Sequence, residues 1–198
     1  MSKFFTSSNI AKLGIFSALA TVLYFINFPL PIFPSFLEIH FSDLPALICG
    51  FALGPIGGAL TVLVKVLIKL PFTSTFCVGE CADLITGLLY VIPASIIYQK
   101  GKSKSSAIKG MVIGALCSVA SSILVNWFVL IPVYSKIVVP FSVIVSMCSK
   151  IFPAINEGNF YTYYLTLSVL PFNVLRCLIS GLLTIFVYKR VSNLLKRF

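Results

Sequence analysis

L-P-A-L-I-C-G-F-A-L-G-P-I-G-G-A-L-T-V-L-V-K-V-L-I-K-L, residues 44–70, is long for one membrane-crossing helix and short for two. A helix needs about 20 apolar residues to cross a hydrocarbon core about 30 Å thick. Gly54 and Pro55 stand at the middle of the stretch, with Gly50, Gly57 and Gly58 nearby. Proline suits the first position of a helix and glycine the position just past the end of one, so the pair reads as a stop followed by a start. The spacing predicts a short helix over 42–53 and a second over 55–70. The short one cannot span alone. Neighbouring helices or a buried loop must cover its ends, because lipid cannot satisfy backbone groups.

The other long apolar segments, 10–27, 78–99, 108–131 and 164–188, each read as one helix. Charge placement then decides the count. Ten of the 15 Lys and Arg flank these segments: Lys3, Lys12, Lys100, Lys102, Lys104, Lys109, Lys189, Arg190, Lys196 and Arg197. If 44–70 crossed once, the loop 100–109 and the basic C-terminal tail would face opposite sides. If it crosses twice, both share one side with the N-terminus, as the positive-inside rule requires. The expectation is an all-α, polytopic protein of the cell membrane with six transmembrane helices in one domain, 1–198, and both termini cytoplasmic. Lys3 and Lys12 precede an apolar run as in a signal peptide. No small-x-small cleavage site follows, so the run is read as an uncleaved first helix.

Composition excludes other classes. The chain is 59% hydrophobic and 10% charged, with a mean hydropathy of +1.05. A soluble domain carries about a quarter charged residues. The net charge of +10 lies in short flanks of apolar spans and not on an aromatic-studded face, which argues against nucleic acid as a partner. The six cysteines form no C-x-x-C, and His40 is the only histidine; a metal site is not expected. No G-x-x-x-x-G-K-[ST] phosphate loop is present.

In this topology the unusual chemistry falls in the outer half. Segment 28–41 contains Pro29, Pro31 and Pro34 and reads as a stiff loop. Thr73, Ser74 and Thr75 precede the helix at 78 and can cap it, and Glu80 and Asp83 fall in its first turns, where the helix dipole favours carboxylates. Trp127, Tyr134, Phe160, Tyr161, Tyr163 and Tyr164 suit an interfacial aromatic belt. Segment 132–163 is long for a loop, which suits a cover over a site. Lys65 and Lys69 lie four apart, Asn126 lies near the outer end of the fifth helix, and Asn173 and Arg176 lie three apart on one face of the sixth. Charged groups at membrane depth face the bundle interior and pair, or mark a site. Lys69 reads as snorkelling to the interface. For Lys65 and Asp83 pairing and ligand contact stay open, and Asn126 can bond a neighbouring helix. Arg176 is followed by twelve uncharged residues and cannot shed its proton, so with Asn173 it reads as part of a binding site.

F-S-D-L-P-A-L-I-C-G-F-A-L-G-P-I-G-G at 41–58, V-G-E-C-A-D at 78–83, N-W-F-V-L-I-P-V-Y at 126–134 and P-F-N-V-L-R at 171–176 resemble, in order and spacing, the riboflavin-specific S components of energy-coupling factor (ECF) vitamin transporters. The resemblance implies a six-helix, non-enzymatic subunit that captures riboflavin from outside. It implies no cofactor, and as partner an ECF module of one membrane coupling subunit and two ATPases. It assigns ligand contact to Glu80, Asn126, Asn173 and Arg176 by motif, and adds Leu37, Ile39 and Phe41 from the first loop as candidates of lower rank. Family members carry lysine where Arg176 stands and asparagine where Asp83 stands, so a cation survives at 176 while an amide becomes an acid at 83. The resemblance also implies a docking surface for the coupling subunit on the first helix, where Gly14 and Ala18 stand four apart and small residues permit close approach. Internal packing is the alternative there. The rival readings are an S component for thiamin or biotin, a membrane-embedded enzyme acting on lipid, and a stand-alone secondary transporter. The last is disfavoured by the lack of an internal repeat.

Overall fold

The computed structural model describes residues 6–73 and 75–195. Lys3, Ser74, Lys196 and Arg197 lie outside these residues, as does the side chain of Lys189. The chain begins with α1 (Ser7–Phe25), capped by the Thr6 hydroxyl, which accepts from the Asn9 N–H. A two-residue antiparallel pair, β1 (Phe28–Pro29) with β2 (Glu38–Ile39), closes the proline-rich loop into a hairpin. Next come α2 (Asp43–Leu53) and α3 (Pro55–Lys69), separated as the sequence predicts. Gly54 joins them at φ 84°, a left-handed backbone that favours glycine, and Pro55 starts α3. α4 (Val78–Gly101) and α5 (Lys104–Val125) form the central hairpin. Their close approach depends on glycine: a Cβ on Gly110 would lie 2.5 Å from the Ala94 carbonyl oxygen, and one on Gly114 2.3 Å from that of Tyr90.

The last third departs from the expected boundaries. α5 does not stop at 131. It runs through a π-helical turn, Asn126–Leu130, into α6 (Ile131–Ile137), giving a continuous apolar helix of 34 residues. At 1.5 Å per residue that is about 50 Å, some 20 Å more than the hydrocarbon core needs, so the rod is long enough to project past the membrane. Segment 132–163 is therefore not a plain loop: it holds α6 and α7 (Phe141–Ser149). The final helix starts at 160, not 164, as α8 (Phe160–Tyr164), a second π-helical turn (Leu165–Val169) and α9 (Leu170–Leu195). Both π turns precede a proline by two residues, at Pro132 and Pro171. A proline inside a helix lacks an N–H and pushes against the carbonyl four residues back; a widened turn relieves the clash.

Five helices among the described residues are long and apolar enough to cross a membrane, and Asp43–Leu53 is a shorter apolar one. Buried side chains form two clusters. One, around Phe33, Ile131, Ile144, Phe160 and Tyr164, joins the hairpin to α6, α7 and α8. The other, around Leu47, Phe51, Val62, Tyr90 and Tyr98, joins α2, α3 and α4. The aromatic belt is only partial. Trp127 is half exposed, but Phe160 and Tyr164 are fully buried and serve as core.

Candidate ligand-binding site

A cavity of about 340 Å³ lies between the hairpin, α1, α4, the outer part of α5–α6, and α9. That is near the lower end of the range for small-molecule sites, about 300–1,000 Å³. Its walls are partly aromatic and aliphatic, with Phe36, Leu37, Leu130, Tyr134 and Phe172, and Met147 of α7 joins from above. The remaining lining is mostly polar.

Of the sequence-predicted residues, Glu80, Asp83, Asn126, Asn173, Arg176 and Leu37 meet in this one cavity. Lys65, Ile39 and Phe41 are not in its lining. Ile39 is buried in the core cluster, and Phe41 packs on Phe28. Lys65 is completely buried beneath the cavity and bonds Ser42 Oγ at 2.6 Å and Asp43 Oδ1 at 2.9 Å. Its Nζ also stands 3.1 Å from Asp83 Oδ2. Lys69, expected only at the interface, lines the cavity and lies over the rings of Phe25 and Tyr24, 4.5 and 5.6 Å from their centroids.

The floor is an ionic cluster. Arg176 donates from Nε and Nη2 to Asp43 Oδ2, at 3.0 and 2.8 Å, and from Nη2 also to Asp83 Oδ1. His40 Nε2 lies 3.3 Å from Asp83 Oδ1, and its Nδ1 is 3.0 Å from Ser42 Oγ. Two carboxylates and two cations thus balance in a buried space, where an unpaired charge would be costly. Asp83, an acid where the family resemblance predicts an amide, is the partner of Arg176. Asp43 and His40 were not among the predicted site residues. In the sequence Asp43 looks like an ordinary first-turn acid of α2, and a lone histidine carries no pattern. Only the fold brings His40 to Asp83, 43 positions further along the chain, and Asp43 to Arg176, 133 positions further.

The amides are held by their own helices. Asn126 donates from Nδ2 to the Ser122 carbonyl at 2.8 Å and accepts from the Tyr164 hydroxyl at 2.8 Å. Asn173 donates to the Val169 carbonyl at 2.8 Å. Both bonds sit at the π turns, so the proline-driven widening also fixes the two amides. Among the described residues no group bonds Asn173 Oδ1 or Arg176 Nη1, leaving an acceptor and a donor for a ligand. Glu80 is fixed by the hydroxyls of Thr73 and Thr75, at 2.8 and 2.9 Å. Those threonines also cap α4: Thr73 Oγ1 accepts from the Cys77 N–H and Thr75 Oγ1 from the Gly79 N–H.

Two titratable groups of the cavity lie in the loop outside the membrane-spanning helices. Burial lowers the pKa of His40, aided by the positive charge of Arg176 and opposed by Asp83. Burial raises that of Glu38, opposed by Lys69; Glu38 accepts from the Asn27 amide. Among the described residues no group of three or more His, Cys, Asp or Glu is placed to hold a metal ion.

Known proteins are similar to this chain in sequence and fold. The chain is 30% identical over 191 residues to the riboflavin transporter RibU of Staphylococcus aureus (strain TCH60), covering 96% of this chain and 94% of that one. It is 25% identical over 163 residues to the riboflavin transporter FmnP of Bacillus subtilis (strain 168), covering 81% and 79%. A solved S component of a bacterial ECF transporter superposes with a TM-score of 0.73 at 29% identity, over 94% of this chain and 96% of that one. The family described as the ECF transporter substrate-specific component matches residues 8–188. This membrane protein belongs to the substrate-specific components of ECF transporters.

Proposed function

We propose that this chain captures riboflavin from the outer side of the membrane in the cavity above the Arg176 cluster, and passes it to an ECF module that drives release inward. The observation that carries the reading is the pairing of an aromatic and aliphatic wall with fixed amide and guanidinium hydrogen-bonders. Riboflavin is uncharged. It has a flat apolar ring system, an edge of carbonyl and N–H groups, and a polyol tail. Amides offer donor and acceptor together and so suit an imide edge or hydroxyls. The balanced charge of the floor suits a neutral ligand. The names of the Staphylococcus and Bacillus relatives support the same ligand.

The module in this reading has one membrane coupling subunit and two cytoplasmic ATPases. The chain itself contributes binding and no hydrolysis. Both termini and the basic loop 100–109 face the cytoplasm, and the hairpin and α7 face outward, in keeping with the positive-inside rule.

An absorption spectrum of the protein purified in mild detergent from riboflavin-containing cells tests the ligand. The expected result is a yellow preparation with flavin close to one per chain. A colourless preparation that instead retains thiamin or biotin overturns the assignment.

A further inference from the structure

We propose that the seam between α5 and α9 is a binding site for one anionic phospholipid, with an acyl chain in the seam and the phosphate held by Lys104 and Lys109. The seam is a second cavity of about 300 Å³, distinct from the ligand cavity. Met111, Ala115 and Val119 line it from α5, and Cys177, Gly181 and Ile185 from α9. Tyr90 of α4 forms its floor, and the Tyr90 hydroxyl is already spent on the Cys177 carbonyl at 3.1 Å. Nothing in the seam therefore asks for a polar ligand. The hollow exists because Ala115, Cys177 and Gly181 are small, while Leu116 and Leu182 stand as ridges, 66% and 55% exposed.

Shape selects the occupant. A narrow apolar groove of this kind suits an extended hydrocarbon chain. Charge selects the headgroup. Lys104 lies one turn, about 6 Å, before Ile108 at the end of the seam, and Lys109 flanks the same stripe; both are exposed. Between Asp83 and Glu157 the sequence has no acidic residue, and after Glu157 none. No carboxylate of α5 or α9 is available to neutralise these lysines. Long lysine stems can follow the apolar surface while the ammonium reaches a phosphate. Basic pockets between membrane helices bind anionic headgroups by this chemistry.

The inference stands apart from riboflavin, and its test reads lipid alone. The intact protein in mild detergent is titrated with phosphatidylglycerol and with phosphatidylcholine of the same acyl chains, and bound lipid is counted by native mass spectrometry. One phosphatidylglycerol per chain is expected, preferred roughly tenfold or more over phosphatidylcholine. The double variant Lys104→Gln, Lys109→Gln changes only exposed side chains and is expected to erase the preference. Ala115→Phe fills the seam and is expected to reduce retention of both lipids. Gly181→Leu fills it from the other side; a Cβ there meets only the Tyr90 hydroxyl, at 3.4 Å, so at least one filler keeps the fold. Equal retention of the two lipids by the wild type overturns the proposal. Wild-type retention in a folded seam-filling variant overturns it too. So does a photoreactive residue at position 116 that captures a second copy of the chain in cells instead of lipid.

Discussion

Arg176 bonds two carboxylates at once, and this governs how a substitution there behaves. Removing it leaves two buried carboxylates, Asp43 and Asp83, facing the one buried lysine, Lys65. Breaking a buried ion pair this way costs about 3–5 kcal/mol, so Arg176→Ala is expected to weaken both fold and binding. Asn173→Ala is the cleaner probe, because it loses one bond to its own helix and no charge. Riboflavin affinity of the purified variant, followed by quenching of flavin fluorescence, is expected to fall about tenfold to a hundredfold with little change in melting temperature. Wild-type affinity would remove Asn173 from the site. His40 supplies a pH test. Its folded pKa lies below its ordinary value near 6.5, so the neutral ring is the one the fold accommodates. Its stability contribution is complete above about pH 6.5 and is lost as pH falls, by at most about 1.4 kcal/mol per pH unit. Glu38, whose pKa is raised, works in the opposite direction. The melting temperature in detergent is expected to drop from pH 7.5 to 5.5 in the wild type and to drop less in His40→Gln. Equal drops would show that other groups set the acid response. These residues also mark the limit of reading a site from sequence. Asn126, Asn173 and Arg176 are legible because polar groups in apolar helices need a reason. Asp43 and His40 are not, since an acid at a helix start and a single histidine in a loop each have a local reason to be there.

At the scale of elements, the break at Gly54 and Pro55 was legible because backbone geometry forces it: no other residue takes φ 84° as readily. The outer ends of the last two helices were not. The apolar pattern ends the fifth helix at 131, yet Ile131–Ile137 continues it through Pro132, because a π turn absorbs the clash that the proline would otherwise cause. Tertiary packing of Ile131, Phe160 and Tyr164, all fully buried, stabilises those ends, and hydropathy along one segment does not report that. The extended helix sharpens the sidedness test. Ser103, at the start of α5, and Lys136, near the end of α6, terminate one continuous apolar rod and must lie on opposite sides of the membrane. In a chain freed of its native cysteines, an impermeant thiol reagent added to intact cells is expected to label Lys136→Cys and not Ser103→Cys. The reverse pattern would invert the whole topology, and with it the outward-facing cavity.

At the scale of the molecule, the face that α1 turns away from the bundle is the surface on which the family resemblance expects the coupling subunit to dock. Ser17, Ala20, Thr21 and Tyr24 point inward, whereas Gly14 and Ala18 are exposed together with Ile15, Leu19 and Val22. A Cβ added at Gly14 meets nothing within 4 Å. Internal packing therefore gives no reason for glycine there, while close approach of a second helix does. The same geometry makes the test clean. A tryptophan at 14 or 18 projects into lipid and leaves the bundle intact, so riboflavin binding by the isolated protein is expected to stay within about twofold of wild type. If the coupling subunit docks on this face, the bulky ring holds the helices apart. Riboflavin uptake by cells and co-purification with the module should then fall sharply in Gly14→Trp and Ala18→Trp. A matching tryptophan at Leu124, an exposed position of α5 outside both cavities, controls for bulk alone and should leave uptake intact. Loss of ligand binding in the α1 variants would mean that the face supports the fold after all. Undiminished uptake would mean that the module docks on another helix.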